Sequence, residues 1–86
     1  MKETRIIGLL IRDRIKEAGK LQLLLTRNAH LIKTRLGFHE VNESTCSRNG
    51  FLLLELKGDE KEWEKLEVEL YDIGGIKIKQ MIFNLD

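Results

Sequence analysis

The chain has 86 residues, of which 42% are hydrophobic and 34% charged, with a formal net charge of +1 at pH 7. This balance excludes the strongly basic surface typical of a nucleic-acid-binding domain, and no apolar run is long enough for a membrane-spanning helix. We expect a single domain over residues 1–86. We predict no signal peptide, because no small-residue cleavage site follows the first apolar run. A lone cysteine, which cannot form an internal disulfide, fits the cytoplasm.

The first half of the chain predicts a strand, a helix and a second strand. Residues 5–12 are almost continuously apolar, which is typical of a central strand buried on both faces, and Gly8 permits close approach of another backbone. Asp13 then occupies the N-cap position of a helix over 14–27, and Asn28 is its left-handed stop. The helix presents an apolar face of Ile15, Ala18, Leu21 and Leu25, with Leu24 beside it. Alternation over 30–36 predicts a half-exposed strand with a bulge at Gly37 and a continuation over 38–41.

The second half repeats this order. Asn49 and Gly50 form a type I′ hairpin signal before a strand over 51–57. In that strand Leu52, Leu54 and Leu56 share one side. Gly58 ends the strand, and Asp59 caps a helix whose buried face is predicted to contain Trp63, Leu66 and Leu70. Gly74 and Gly75 end the helix, and residues 76–83 alternate as a fourth strand.

The predicted order is therefore β-α-β-β-α-β, with halves at 5–41 and 51–83. This is the order of the α+β ferredoxin-like plait, in which four antiparallel strands carry both helices on one face. The other face of the sheet collects an apolar patch of Phe51, Leu53, Met81 and Phe83, which favours association. We predict a homo-oligomer, a dimer or tetramer that forms through sheet edges or this open face.

Short motifs in chain order resemble a small bacterial family, the iron-only hydrogenase system regulators. Residues 6–14 (IIGLLIRDR) resemble the opening strand of that family, residues 35–37 (RLG) its Arg-Met-Gly, and residues 73–79 (IGGIKIK) its closing pattern. The resemblance implies a ferredoxin-like domain similar to ACT modules and to the metal-sensing domain of nickel-responsive repressors. It also implies oligomers, a regulatory role and no established catalytic residues.

A metal site is one candidate chemistry. His30, His39 and Cys46 are the only histidines and cysteine of the chain. Imidazole and thiolate together suit zinc, nickel or copper, and the resembling nickel-sensing domains use the same ligand types. The alternative is that these three residues are ordinary composition, with His30 at a helix-to-strand turn and Cys46 in a polar loop.

A small-ligand site is the second candidate. Asp13 and Arg14 follow the first strand, where ACT modules bind small ligands, and the N–H groups at a helix N-terminus can hold an anion. Arg35, on the second strand, completes the candidate ligand-binding set. The alternative is an N-cap aspartate beside a surface arginine.

Two further classes are disfavoured. Arg5, Arg12, Arg14 and Arg35 could join Lys33, Lys77 and Lys79 in a basic patch, but the aromatic signature of an RNA-binding sheet is absent, so no nucleic-acid partner is predicted. No nucleophile–base, phosphate-loop or dinucleotide motif is present either, so we predict no enzyme activity.

The sequence thus predicts a stand-alone regulatory module that binds a small-molecule effector or a protein partner and acts through oligomeric contacts. By resemblance it would serve an iron-only hydrogenase-associated system. It has no predicted cofactor. The alternatives are a transition-metal sensor and a purely structural interaction module.

Overall fold

A computed structural model of the chain describes residues 3–12, 14–38 and 50–85. Four strands and two helices follow one another: β1 (Glu3–Ile11), α1 (Arg14–Arg27), a 3₁₀ turn (Ala29–Leu31), β2 (Ile32–Phe38), β3 (Gly50–Leu56), α2 (Glu60–Ile73) and β4 (Ile76–Asn84). The strands form one antiparallel sheet in the order β2-β3-β1-β4. The predicted ferredoxin-like α+β plait is confirmed.

The core lies between the sheet and the two helices. Alternate residues of the two central strands point into it, because successive side chains of a strand face opposite sides. The strands contribute Ile7, Leu9, Ile11, Leu52, Leu54, Leu56 and Ile76, and the helices contribute Leu21, Leu24, Leu25, Trp63, Leu66 and Leu70. The prediction that β1 is buried on both faces is wrong, since Ile6 and Leu10 on its other side are only half-buried.

The buried stripe of α1 differs from the predicted one. Ala18 is exposed, whereas Glu17 is buried in line with Leu21 and Leu24. Positions four and seven residues apart share one side of a helix, so Glu17 takes the place expected for Ala18, while Leu21, Leu24 and Leu25 are buried as predicted. A carboxylate inside this stripe breaks the binary pattern from which the face was predicted.

Two predictions about the ends of α1 and β2 are also corrected. Asn28 has φ −110°, not a left-handed conformation, because its side-chain Nδ2 donates to the carbonyl of Leu24 at 2.9 Å and so satisfies that helix end. The irregularity of β2 lies between Ile32 and Thr34 rather than at Gly37. Ile32 therefore packs against the core, while Thr34 and Leu36 fall on the opposite face.

The second half agrees closely with prediction. The Asp59 side chain accepts a hydrogen bond from the Lys61 amide at 2.9 Å and caps α2. Trp63 is buried, and its Nε1 donates to the Lys57 carbonyl at 2.7 Å. Gly74 and Gly75 have φ of 84° and 68°, the left-handed region that turns the chain from α2 into β4. The predicted Asn49–Gly50 hairpin and the strand continuation at 39–41 lie outside the described residues.

Candidate functional site

The sheet has one face without helices, which we call the open face. Strand pairing places its residues in rows, read from β3 through β1 to β4: Glu55, Ile6 and Met81; Leu53, Gly8 and Lys79; Phe51, Leu10 and Lys77. Leu36 of β2 pairs with Leu53, and Phe83 of β4 pairs with Thr4. The register therefore brings side chains from both ends of the chain onto one surface.

The open face is strongly apolar. Leu36, Phe51, Met81 and Phe83 are each about half exposed, between 46% and 56%. The predicted patch of Phe51, Leu53, Met81 and Phe83 is confirmed as one surface, since all four residues belong to the open-face registers. Large contiguous apolar patches on a small protein mark interaction sites rather than ordinary surface.

A depression of about 310 Å³ lies in this face over Gly8. Leu10, Phe51 and Leu53 line it with apolar surface, and Lys77 and Lys79 also border it. A Cβ placed on Gly8 would lie 3.4 Å from Leu53 Cδ2. The atom that this Cβ would meet belongs to a side chain and not to a backbone. The close backbone approach that Gly8 was expected to permit is therefore not observed above it. The missing side chain of Gly8 leaves the floor of the depression open.

Charges on the open face are unevenly distributed. Glu55 accepts a hydrogen bond from Thr34 Oγ1 at 2.9 Å, and Lys33 Nζ lies 3.8 Å from its other carboxylate oxygen. Lys77 and Lys79, by contrast, have no carboxylate within 4.0 Å among residues 3–12, 14–38 and 50–85. Within the four strands the open face therefore carries three lysines against one glutamate, with the excess positive charge on β4.

The structure describes the predicted ligand residues only in part, so the site with Asp13, Arg14 and Arg35 stays a prediction. Asp13 lies outside it, and Arg14 begins α1. The Arg35 guanidinium donates to Gln22 Oε1 at 3.0 Å. Gln22 follows Arg14 by eight residues on α1, which corresponds to about 12 Å along the helix axis. The contact between Arg35 and Gln22 is therefore about that far from the turn between β1 and α1.

The predicted basic patch is divided between the two sides of the sheet. Arg5 points to the helix side, where it pairs with Glu3 at 2.8 Å and stacks 5.3 Å from the centre of the Trp63 ring. Lys77 and Lys79 lie on the open face. The alternation of the strands separates these cations, so they cannot act together on one ligand.

The structure describes one of the three predicted metal ligands. His30 is exposed, and its Nε2 lies 3.6 Å from Glu62 Oε2. His39 and Cys46 lie outside the described residues. Within those residues no group of three or more His, Cys, Asp or Glu side chains could hold a metal ion. The site with His30, His39 and Cys46 therefore stays a prediction.

Two features escaped sequence reasoning. Glu17 is only 5% exposed, and its Oε2 has no hydrogen-bond partner among the described residues. The depression over Gly8 depends on strand register, which joins Leu53 from β3 with Lys79 from β4 across β1. The sequence signal for the depression was Gly8, a glycine within an apolar strand.

The outer face of α2 is a second exposed surface with the opposite charge. It exposes Val68 and Tyr71, at 60% and 72%. The helix carries five acidic side chains that are mostly solvent-exposed: Glu60, Glu62, Glu64, Glu69 and Asp72. Glu67 accepts from Gln80 Nε2 at 2.7 Å, which ties the helix to β4. The exposed surface of α2 is therefore net acidic, although Lys61 and Lys65 also lie on it.

Comparisons with known proteins support the fold. No protein-family model and no curated protein matches the chain. An uncharacterized protein from Thermotoga maritima is 24% identical, with a TM-score of 0.79 over 96% of this chain and 100% of that chain. A formyltetrahydrofolate deformylase from Pseudomonas putida KT2440 is 12% identical, with a TM-score of 0.62 over 91% of this chain and 28% of that chain. The de novo designed protein Foldit4 is 12% identical, with a TM-score of 0.55 over 99% of this chain and 100% of that chain.

At these identities the likeness concerns the fold alone. It extends over nearly the whole of the chain, including both helices and all four strands. Neither α1 nor α2, the helices that the structure describes, is long and apolar enough to cross a bilayer.

Proposed function

We propose that this chain is a non-catalytic regulatory module that forms a homodimer through its open face and acts by changes in that contact. One observation carries the proposal: four large apolar side chains of the open face are each about half exposed around the half-buried Leu53. Covering them removes apolar surface from water, which is the main favourable term in protein association.

The size of the open face supports a second copy as the occupant. Four strands spaced about 4.8 Å apart, with seven to nine residues each, make a footprint of about 500 Å². Two opposed copies would then bury on the order of 1,000 Å² in total, which is where specific interfaces begin. An isologous contact closes with two copies and covers the apolar patch of both open faces.

The regulatory part of the proposal is supported by the resemblance to iron-only hydrogenase system regulators at residues 6–14, 35–37 and 73–79. That resemblance implies oligomers with a regulatory role in a hydrogenase-associated system. A fold with a separate core between helices and sheet suits this role, because subunit contacts can change without loss of the fold. We propose that an effector or protein partner shifts the balance between monomer and dimer.

Sedimentation equilibrium over a wide range of protein concentration tests the proposal. The wild-type chain is expected to give a dimer, and Leu36→Glu and Met81→Glu are expected to give folded monomers, because a buried unpaired carboxylate opposes closure of the interface. Val68→Glu is the matched control, since it makes the same change at an exposed apolar residue of α2.

Circular dichroism verifies that each variant is folded. A wild-type chain that stays monomeric at high concentration contradicts the proposal. So does a dimer that survives both open-face variants and is lost with Val68→Glu, because the acidic face of α2 would then be the contact.

A further inference from the structure

The depression over Gly8 combines an apolar surface with two lysine side chains at its border. Its lining surface is almost entirely apolar, and Leu10, Phe51 and Leu53 are among the residues that line it. The ammonium groups of Lys77 and Lys79 belong to side chains on the same side of β4, two residues apart. The volume, about 310 Å³, is at the lower end of the range for small-molecule pockets.

Each part of the depression selects a part of a ligand. The apolar floor and walls favour an aromatic ring or a branched aliphatic group, because such groups gain most from leaving water. The two lysines favour an anion at one end of that group. Glu55, the acidic residue of this face, is already engaged by Lys33 and Thr34, so it does not neutralise them.

We propose that the depression over Gly8 binds a small carboxylate with an aromatic or branched apolar body. The ring lies over Gly8 between Leu53 and Phe51, and the carboxylate lies between Lys77 and Lys79. This inference deepens the proposed function and rests on it in one respect: the same face is the dimer contact.

The ligand then controls the contact through charge. Closing two open faces over each other places the Lys77 and Lys79 side chains of both copies within one interface, and like charges enclosed there oppose association. A bound carboxylate neutralises them. Since a ligand that binds the dimer more tightly stabilises it, the carboxylate is expected to raise the dimer fraction.

An NMR titration of ¹⁵N-labelled protein tests the site with two probes of the same shape. Phenylacetate carries the charge, and phenylacetamide is its neutral counterpart. Phenylacetate is expected to shift the amides of Gly8, Leu53 and Lys79 with a Kd on the order of 1 mM, in keeping with its small size. Phenylacetamide is expected to bind about five- to tenfold more weakly.

Variants assign the discrimination to named residues. The double variant Lys77→Gln with Lys79→Gln is expected to bind both probes equally, whereas Lys65→Gln on α2 makes the same kind of charge change and is expected to keep the preference. Gly8→Ala partly fills the floor and is expected to weaken both probes by a similar factor. Equal binding of the probes by wild-type protein, or shifts confined to other surfaces, overturns the site.

Sedimentation of the same samples separates this inference from the proposed function. Phenylacetate, and not phenylacetamide, is expected to raise the dimer fraction. A dimer that forms without discrimination between the probes overturns the ligand site and leaves the proposed function standing. A monomer that still prefers phenylacetate at Gly8 overturns the dimer and leaves the site standing. A dimer fraction that falls or stays constant at saturating phenylacetate overturns the coupling.

Discussion

The two faces of the sheet are built from similar residues and have opposite roles. Towards the helices, Ile7, Leu9 and Leu54 are at most 1% exposed and belong to a closed core. Away from the helices, Phe51 and Met81 are exposed to nearly half of their surface. Hydrophobicity alone therefore does not separate a core residue from an interface residue in this protein. The difference lies in which element covers each face.

The consecutive leucines of β3 show the same contrast at single-residue scale. Leu52 and Leu54 are buried beneath the helices, whereas Leu53 between them lies on the open face beside Gly8. One strand thus serves both the core and the candidate interface. A substitution that changes only one of the two faces measures how independent they are.

Leu54→Ala and Leu53→Ala are the strongest test of this independence. Leu54→Ala is expected to lower the free energy of unfolding by about 2–5 kcal/mol, because it leaves a cavity in a closely packed core. Leu53→Ala removes the same atoms from a partly covered site and is expected to cost less than about 1.5 kcal/mol in the monomer. Urea unfolding at low protein concentration measures both.

For their effect on dimer formation, the two variants are expected to rank in the opposite order. Leu53→Ala is expected to weaken the dimer, while Leu54→Ala leaves the interface residues in place. Equal losses of monomer stability would mean that the open face is covered within the monomer and would contradict the comparison.

Much of the fold could be predicted because the periodic pattern and the turn residues agree. Leu52, Leu54 and Leu56 alternate as a strand should, and Trp63, Leu66 and Leu70 follow the helical period. The predictions that failed concern single side chains whose burial or hydrogen bonds are not fixed by residue spacing. Ala18 was placed in the core by its spacing, but Glu17 occupies that stripe. Asn28 has its own side-chain bond to Leu24 and needs no left-handed conformation.

Glu17 is the polar exception of the helix-facing side and gives the next prediction. One carboxylate oxygen is buried without a hydrogen-bond partner among the described residues, and an unsatisfied buried polar atom costs about 1–3 kcal/mol. Glu17→Met keeps the length and helix preference of the side chain, so it is expected to raise the free energy of unfolding by about 1–2 kcal/mol.

Glu64→Met on the exposed side of α2 is the matched control, with an expected change within about 0.5 kcal/mol. Thermal and urea unfolding compare the two variants. A clear loss of stability in Glu17→Met would show that the buried carboxylate has a stabilising partner. The core between the sheet and the helices would then depend on a polar contact as well as on apolar packing, which would contradict the contrast between the two faces.

The candidate site was harder to predict than the fold. The apolar patch could be derived from alternation within single strands, as for Phe51 and Leu53. The depression could not, because it needs the register that sets Gly8 of β1 between Leu53 and Lys79. Short motifs resolve neither strand order nor register, so the ligand site predicted at Asp13, Arg14 and Arg35 did not draw on this face, and it stays a prediction.

Gly8→Ala and Gly19→Ala give the smallest effect and the finest distinction. Gly19 lies at an exposed position of α1, where a Cβ would have no neighbour within 4 Å, so Ala is expected to stabilise the helix by about 1 kcal/mol. Gly8→Ala is expected to add about 0.5 kcal/mol, since its Cβ would contact Leu53 at 3.4 Å. For a domain of this size these gains correspond to rises in Tm of about 4–8 °C and 2–4 °C.

Only Gly8→Ala is expected to weaken phenylacetate binding, because only its methyl group enters the depression. If both variants weaken binding equally, the effect comes from general rigidity rather than from the floor at Gly8.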